Sequence, residues 1–234
     1  MVLAISIPDQ SNILGSGKLA IFGAKVHVDS FPGDGTTKSF ALTQDNAVLG
    51  SEVVKVDGVP KVEGTDYTAT HELGILKSID FLTAPASGAT IDVEYLYLDL
   101  PLGGASELSL KEDKDKEEIN VDCSYSKIQI EKGAKIGFSF KDLLTVGDIN
   151  LTTYFTGEIE EGGTYVRYTN GASKSGNIVV LGYSKEATLA HGAEAPKRII
   201  LIYGAMPNSL DIDISGATKS FDLTAQSYKI IDLK

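Results

Sequence analysis

Tryptophan is absent from the 234-residue chain, and cysteine occurs once, at Cys123. A single cysteine excludes a disulfide framework and a multi-cysteine zinc site. No apolar run reaches the roughly 18 residues that a membrane-spanning helix needs. The opening MVLAISIPDQ has neither a basic n-region nor a long apolar h-region, so no secretory signal is expected. Positive charge is scarce: 21 Lys and Arg face 32 Asp and Glu, a formal net charge of −11. That balance argues against a basic groove wrapping nucleic acid, which needs cations to neutralise phosphates. What the chain does have is 42% hydrophobic residues and a mean hydropathy of +0.01. Such a composition describes a globular protein, not a disordered one. The length fits one large domain or two small ones.

The negative charge is unevenly placed. Residues 29–97 hold four lysines and eleven acids, a net of −7. The other 165 residues carry 17 basic and 21 acidic groups, a net of −4. The asymmetry predicts two modules. The acidic stretch reads as β throughout. KSFALT (38–43), EVVKVDG (52–58), DYTAT (66–70), LKSIDFLT (76–83) and TIDVEYLYL (90–98) alternate apolar and polar residues, and a period of two puts alternate side chains on one buried face. Turn signals separate them at PGDG (32–35), Asp57-Gly58, Glu63-Gly64, Pro85 and Gly88. Regular strands at this spacing predict a small Ig-like sandwich.

The flanking sequence is also β-rich: LAIFGAKVHV (19–28), SELSLK (106–111), SKIQIEK (126–132), AKIGFSF (134–140), TYVRYTN (164–170), NIVVLGYS (177–184), KRIILIYG (197–204), SLDIDIS (209–215) and SYKIIDL (227–233). One segment departs from period two. Apolar residues at 143, 144, 146, 149, 151, 154 and 155 predict one short α-helix over 142–155, with Asp142 as N-cap and Gly157 as stop. The run Lys111, Glu112, Asp113, Lys114, Asp115, Lys116, Glu117 and Glu118 has no apolar residue. It reads as a solvated loop, or as an arm that meets a neighbouring subunit through opposite charges. Gly35-Thr-Thr-Lys-Ser-Phe-Ala-Leu-Thr43 echoes Gly216-Ala-Thr-Lys-Ser-Phe-Asp-Leu-Thr224 at seven of nine positions. One short match does not establish a repeat.

Catalytic patterns are thin. His27, His71 and His191 are far apart, with no HExxH or Cys-His arrangement. Cys123 lies beside Asp122, which would raise a thiol pKa rather than activate it. Gly15-Ser16-Gly17-Lys18 lacks the spacing of a phosphate loop and is followed by Leu19, not a hydroxyl residue. Asp211 and Asp213 are two apart and could share a strand face, where an exposed polar role suffices. No enzyme activity, cofactor or metal is expected.

Two stretches carry a family resemblance. Pro101-Leu-Gly-Gly-Ala-Ser-Glu-Leu-Ser-Leu110, the charged run, Lys127-Ile-Gln-Ile-Glu-Lys-Gly-Ala-Lys-Ile-Gly-Phe-Ser-Phe140 and the segment 142–155 follow in an order that resembles the major tail tube protein of long-tailed bacteriophages. Asn12-Ile-Leu-Gly-Ser-Gly-Lys-Leu-Ala-Ile-Phe22 looks like that family's opening strand. The string Phe31-Pro-Gly-Asp-Gly-Thr-Thr-Lys-Ser-Phe-Ala-Leu-Thr43, with Val56-Asp-Gly-Val59, Glu63-Gly-Thr-Asp-Tyr67 and Ile79-Asp-Phe-Leu-Thr-Ala-Pro-Ala-Ser-Gly88, is similar to a small β module common in phage virion proteins.

The resemblance implies a mainly β, barrel-forming tube domain of residues 1–28 and 98–234, with residues 29–97 inserted as a β-sandwich module. It implies a structural virion subunit, made in the host bacterial cytoplasm, that forms stacked hexameric rings. DNA would pass through without sequence-specific binding and no membrane would be involved. Tape measure, tail terminator and baseplate proteins would be its partners. The charged arm 111–118 would contact the adjacent ring. The insert would project outwards, where it would hinder a close-fitting contractile sheath. The alternative is a carbohydrate- or surface-binding β-sandwich protein using Tyr95, Tyr97, Tyr165 and Tyr168, a weaker platform for want of tryptophan.

Overall fold

The computed structural model describes residues 19–120, 127–141, 144–145, 159–161, 166–168, 175–183, 196–212 and 218–233. Among the described residues the protein is mainly β, with sixteen strands and no helix. In chain order they are β1 (Leu19–Pro32), β2 (Ser39–Ala41), β3 (Val53–Val56), β4 (Val59–Pro60), β5 (Tyr67–Glu72), β6 (Ile75–Phe81), β7 (Thr90–Ala105), β8 (Glu107–Asn120), β9 (Lys127–Lys141), β10 (Leu144–Thr145), β11 (Ile159–Glu161), β12 (Val166–Tyr168), β13 (Gly176–Gly182), β14 (Arg198–Ile212), β15 (Thr218–Ala225) and β16 (Ser227–Asp232). Eleven form one hydrogen-bonded network, ordered β4-β3-β7-β1-β13-β14-β15-β9-β8, with β16 on β14 and β10 on β7. β2, β6 and β5 make a second sheet, and β11 pairs with β12.

The spine is β1 against β7, in register from Leu19↔Ala105 to Pro32↔Thr90. Two register shifts leave Leu102 and Asp99 as extra residues on β7. Bulges of this kind sharpen the local twist. They let strands of 14 and 16 residues wrap around a core. β14 is a corner: its first half pairs with β13 and β16, its second half with β15. The network therefore folds over itself. Ile136, Phe138 and Phe140 of β9 and Phe221 and Leu223 of β15 share an apolar cluster with Ile21, Leu102, Ile178, Val180 and Ile202.

A second cluster fills the opposite side of the central strands. It joins Phe40, Leu76, Ile79, Ile91 and Val93 to Phe22, Val179, Leu181, Ile199 and Leu201. The side-chain period of two explains the division. In Ile178-Val179-Val180-Leu181 the even positions enter the first cluster and the odd positions the second. Strands that are apolar at every position are the ones buried on both faces.

The second cluster shows how residues 29–97 sit. Val28 and Leu98, the expected boundaries, lie inside β1 and β7, which run through them unbroken. The division into 1–28 with 98–234 and 29–97 thus cuts two continuous strands, and the apolar cluster spans the cut. A polar contact docks the region further. Lys229 Nζ donates to the Gly50 carbonyl at 2.7 Å. Gly50 has φ +79°, and a Cβ there would overlap Ile231 Cδ1. Only glycine lets the backbone pass so close in that conformation.

The segment expected as a helix differs. Leu144 and Thr145 form β10, paired with Gly104 and Gly103. Apolar residues at 143, 144 and 146 fit either element over so short a span, and the open edge of β7 offers the backbone partners a strand needs. The rest of 142–155 lies outside the described residues, as do Gly15–Gly17, Cys123, Tyr165, His191 and Asp213.

Candidate functional site

The charged run is a strand, not a loop. Lys111–Glu118 lie within β8, paired antiparallel to β9 from Glu107↔Lys141 to Asn120↔Lys127. The hairpin is anchored by period-two residues at its base. Ile136, Phe138 and Phe140 are buried, and Leu108 packs beside them. From Lys111 to Glu118 β8 has no apolar residue, and its backbone is held by β9. The register sets Glu107 opposite Lys141, Asp113 opposite Lys135 and Lys116 opposite Glu131. Opposed charges of this kind select the register. Ion pairs Lys111–Asp113 (2.8 Å) and Lys141–Glu107 (3.1 Å) are exposed and contribute at most about 1 kcal/mol each.

The sheet forks at Ile136. β15 pairs with β9 only along Ile136–Lys141. Past Ala225 the chain bends at Gln226, whose N–H donates to the Tyr203 carbonyl at 3.0 Å, and continues as β16 alongside β14. β9 does not follow. From Asp113↔Lys135 to Asn120↔Lys127 the hairpin is a two-stranded ribbon with no third strand among the described residues. Eight residues of strand span about 26 Å. Tyr228 closes the crotch of the fork: its ring meets Phe138 edge-on at 5.8 Å, and its hydroxyl lies 3.4 Å from Glu112 Oε2. Of the predicted arm residues, Lys111 and Glu112 stand at the fork, and Asp113, Lys114, Asp115, Lys116, Glu117 and Glu118 lie on the ribbon. The outer edges of β8 and β16 have no hydrogen-bonded strand beside them among the described residues.

A polar cluster that sequence reading missed lies under the β2-β6-β5 sheet. Asp29 is buried. It accepts from Tyr95 Oη (2.7 Å), Thr43 N (2.8 Å) and Thr43 Oγ1 (2.6 Å), and His27 Nε2 lies 3.2 Å away. Burial alone would raise the Asp29 pKa, but these hydrogen bonds outweigh it and hold the carboxyl below its ordinary value. Burial, with the hydrogen bond to Asp29, pushes Tyr95 up to about 12. One nitrogen, His27 Nε2, meets both Asp29 and Thr43 Oγ1 (3.1 Å). A nucleophile–base–acid relay needs the two ring nitrogens to serve different partners. The cluster instead pins the chain at Thr43–Gln44 to β1 and β7. Its signal was available: Asp29 shares strand parity with Phe31.

Tyr95 is 1% exposed and engaged with Asp29, so it offers no stacking face to a sugar. Tyr97 packs at the edge of the second cluster. Tyr168 is in β12, and His71 is exposed on β5. Among the described residues no three His, Cys, Asp or Glu side chains group as a metal site.

No family model matches the chain. It is 69% identical to Uncharacterized protein MJ0340 of Methanocaldococcus jannaschii over 234 residues, 100% of both chains. The chain belongs to the same family as that protein.

Proposed function

We propose that this family supplies the structural subunit of a tail-like tube. Copies associate into hexameric rings, the rings stack, and DNA passes along the channel without sequence-specific contact. The carrying observation is the fork. A ribbon of charged residues leaves the folded body, and the edges of β8 and β16 lack strand partners among the described residues. Unpaired edges are aggregation hazards unless a specific neighbour covers them. A ring of identical subunits provides that neighbour, because edges at different places on one chain make a heterologous contact that closes on rotation. The charges along β8 discourage indiscriminate pairing and favour a partner of matching pattern. Residues 29–97, docked over the central strands, face outwards in this reading, since a folded layer in the channel would block DNA. Tape measure, terminator and baseplate proteins are the companions the reading implies, and the virion tail is its location. The relative's source organism is an archaeon, so the proposal extends the host range beyond bacteria.

Negative-stain microscopy of the purified chain tests this. Rings or tubes of uniform diameter are the expected result. A protein that stays monomeric at high concentration and binds glycans would sink it.

A further inference from the structure

Two hairpins within residues 29–97 turn on a pair of left-handed residues. At Asp57-Gly58 the φ angles are +51° and +77°, and at Leu73-Gly74 they are +52° and +81°. The first pair joins β3 to β4 and the second joins β5 to β6. Positive φ at both central positions is the type I′ turn that suits such hairpins, and Asp-Gly is a sequence it favours. Leu-Gly is not, because a leucine Cβ crowds the backbone at positive φ. Leu73 is also 45% exposed. Neighbours fix the turn: the Gly74 carbonyl accepts from Leu49 N at 3.2 Å, and a Cβ on Gly74 would lie 3.1 Å from Ile199 Cδ1. The fold therefore holds a bulky apolar side chain out to solvent, in a backbone conformation that disfavours it. Residues that break a local rule in this way cluster at functional positions.

The opposite end of the same hairpin is concave. The six residues of β5, about 20 Å of strand, separate the turn from Asp66, whose carbonyl accepts from Leu82 N at 3.0 Å. A cleft of about 270 Å³ opens there, with Phe81, Leu82, Ala84 and Pro85 among its apolar walls. Phe81 is buried and Leu82 is 52% exposed. Two charged residues, Lys61 and Asp66, also line it. The Asp66 carboxylate accepts from Val62 N at 2.8 Å, whereas Lys61 has no ion-pair partner among the described residues.

We propose that Leu73 of one copy seats in this cleft of the next, with Glu72 beside Lys61, an assignment that rests on the tube reading above. Taking a half-exposed leucine out of water is favourable. Glu72 adjoins Leu73 and is exposed, so it brings the charge that Lys61 lacks, and opposite charges fix the register of a contact. Knob and cleft stand at opposite ends of one hairpin. The contact is therefore heterologous and passes from copy to copy, as a ring or stack requires.

Leu73→Asn in the full chain separates the fold's interest from the assembly's. Asn-Gly is a preferred sequence for this turn, so the thermal midpoint is expected to rise by roughly 2–4 °C. The particles that the wild-type chain forms are expected to disappear from negative-stain fields at the same concentration. A midpoint at or below the wild-type value shows that Leu73 packs within its own chain and overturns the proposal. Particles formed as readily as by the wild-type chain also overturn it, and leave the tube reading standing. Ala84→Arg fills the cleft from the other side and is expected to remove the particles too; their persistence counts against the seat in the same way. Benzoylphenylalanine at position 73 maps the contact, irradiated in particles made from isotope-labelled and unlabelled chains mixed. Mass spectrometry is expected to find position 73 of one copy joined to the segment 81–86 of another. A crosslink only to some other segment overturns the seat. A wild-type chain that forms no particle overturns the tube reading and this inference with it.

Discussion

Residues 29–97 hold most of the chain's excess negative charge and β8 holds its unbroken charged run 111–118, yet the two are held in opposite ways. The first region carries most of the excess negative charge and is fastened by apolar contacts: Phe40, Leu76 and Ile79 share one cluster with Val179 and Ile199 of the body. The second is fastened at its base, through Phe138 and Phe140, and beyond Ile136 its two strands have no third strand beside them among the described residues. Charge content therefore does not separate a docked layer from a projecting arm. The number of faces each strand can bury does. The docked region stabilises the fold, and the outer half of the ribbon is paired with no third strand among the described residues.

Excising 29–97 and joining residue 28 to residue 98 tests the first half of that contrast most severely. It uncovers Phe22, Val179, Leu181, Ile199 and Leu201. At about 1.5–3 kcal/mol per buried side chain, the loss is comparable to the whole stability of a domain. An unfolded circular dichroism spectrum is expected. A folded, cooperatively melting remainder would show that the region is a pendant module. Replacing 113–135 by a two-residue turn is the counterpart: the thermal midpoint should hardly move, while higher assemblies disappear from size-exclusion profiles.

Smaller changes sharpen the same comparison. Gly50→Ala meets both a strained φ and Ile231 and should cost roughly 2–4 kcal/mol in denaturant unfolding. Gly58→Ala, with φ +77° and nothing within 4 Å, should cost only roughly 1–2 kcal/mol. Equal costs would mean that Gly50 is not a docking point. Tyr95→Phe removes a hydrogen bond to the buried Asp29 carboxylate and should cost roughly 1.5–3 kcal/mol. It should also shift acid unfolding. A carboxyl whose folded pKa is lowered contributes stability above its unfolded value of about 3.9, lost as pH falls through the folded value. With one donor gone, that loss should begin at higher pH in the variant. The smallest signal is spectroscopic. Tyr67 and Tyr95 are both pushed up to about 12, chiefly by burial, so both should ionise above the ordinary tyrosine range in an absorbance titration. The stability they contribute is present below pH about 10 and lost as pH rises towards their folded values.

Much of the strand layout was legible because its cues are local. The turn at Asp57-Gly58 and the alternation in 38–43, 66–70 and 76–83 reappear as β2, the β3–β4 turn, β5 and β6. What escaped depends on distant partners. Asp29 looks like any polar strand residue until Thr43, 14 positions away, and Tyr95, 66 positions away, close on it. Ile178–Leu181 announces a buried strand, but not that its two faces serve different cores. The run 111–118 has no apolar residue to reveal its period, so only β9 discloses it as a strand. Leu144 and Thr145 follow the open edge of β7 rather than their own spacing.

Sedimentation velocity of the full chain beside the variant lacking 113–135, at matched concentration, tests the central claim most directly. The account predicts six-copy and larger species for the full chain and a single folded monomer for the variant. Identical distributions for the two, whether both assembled or both monomeric, would contradict it.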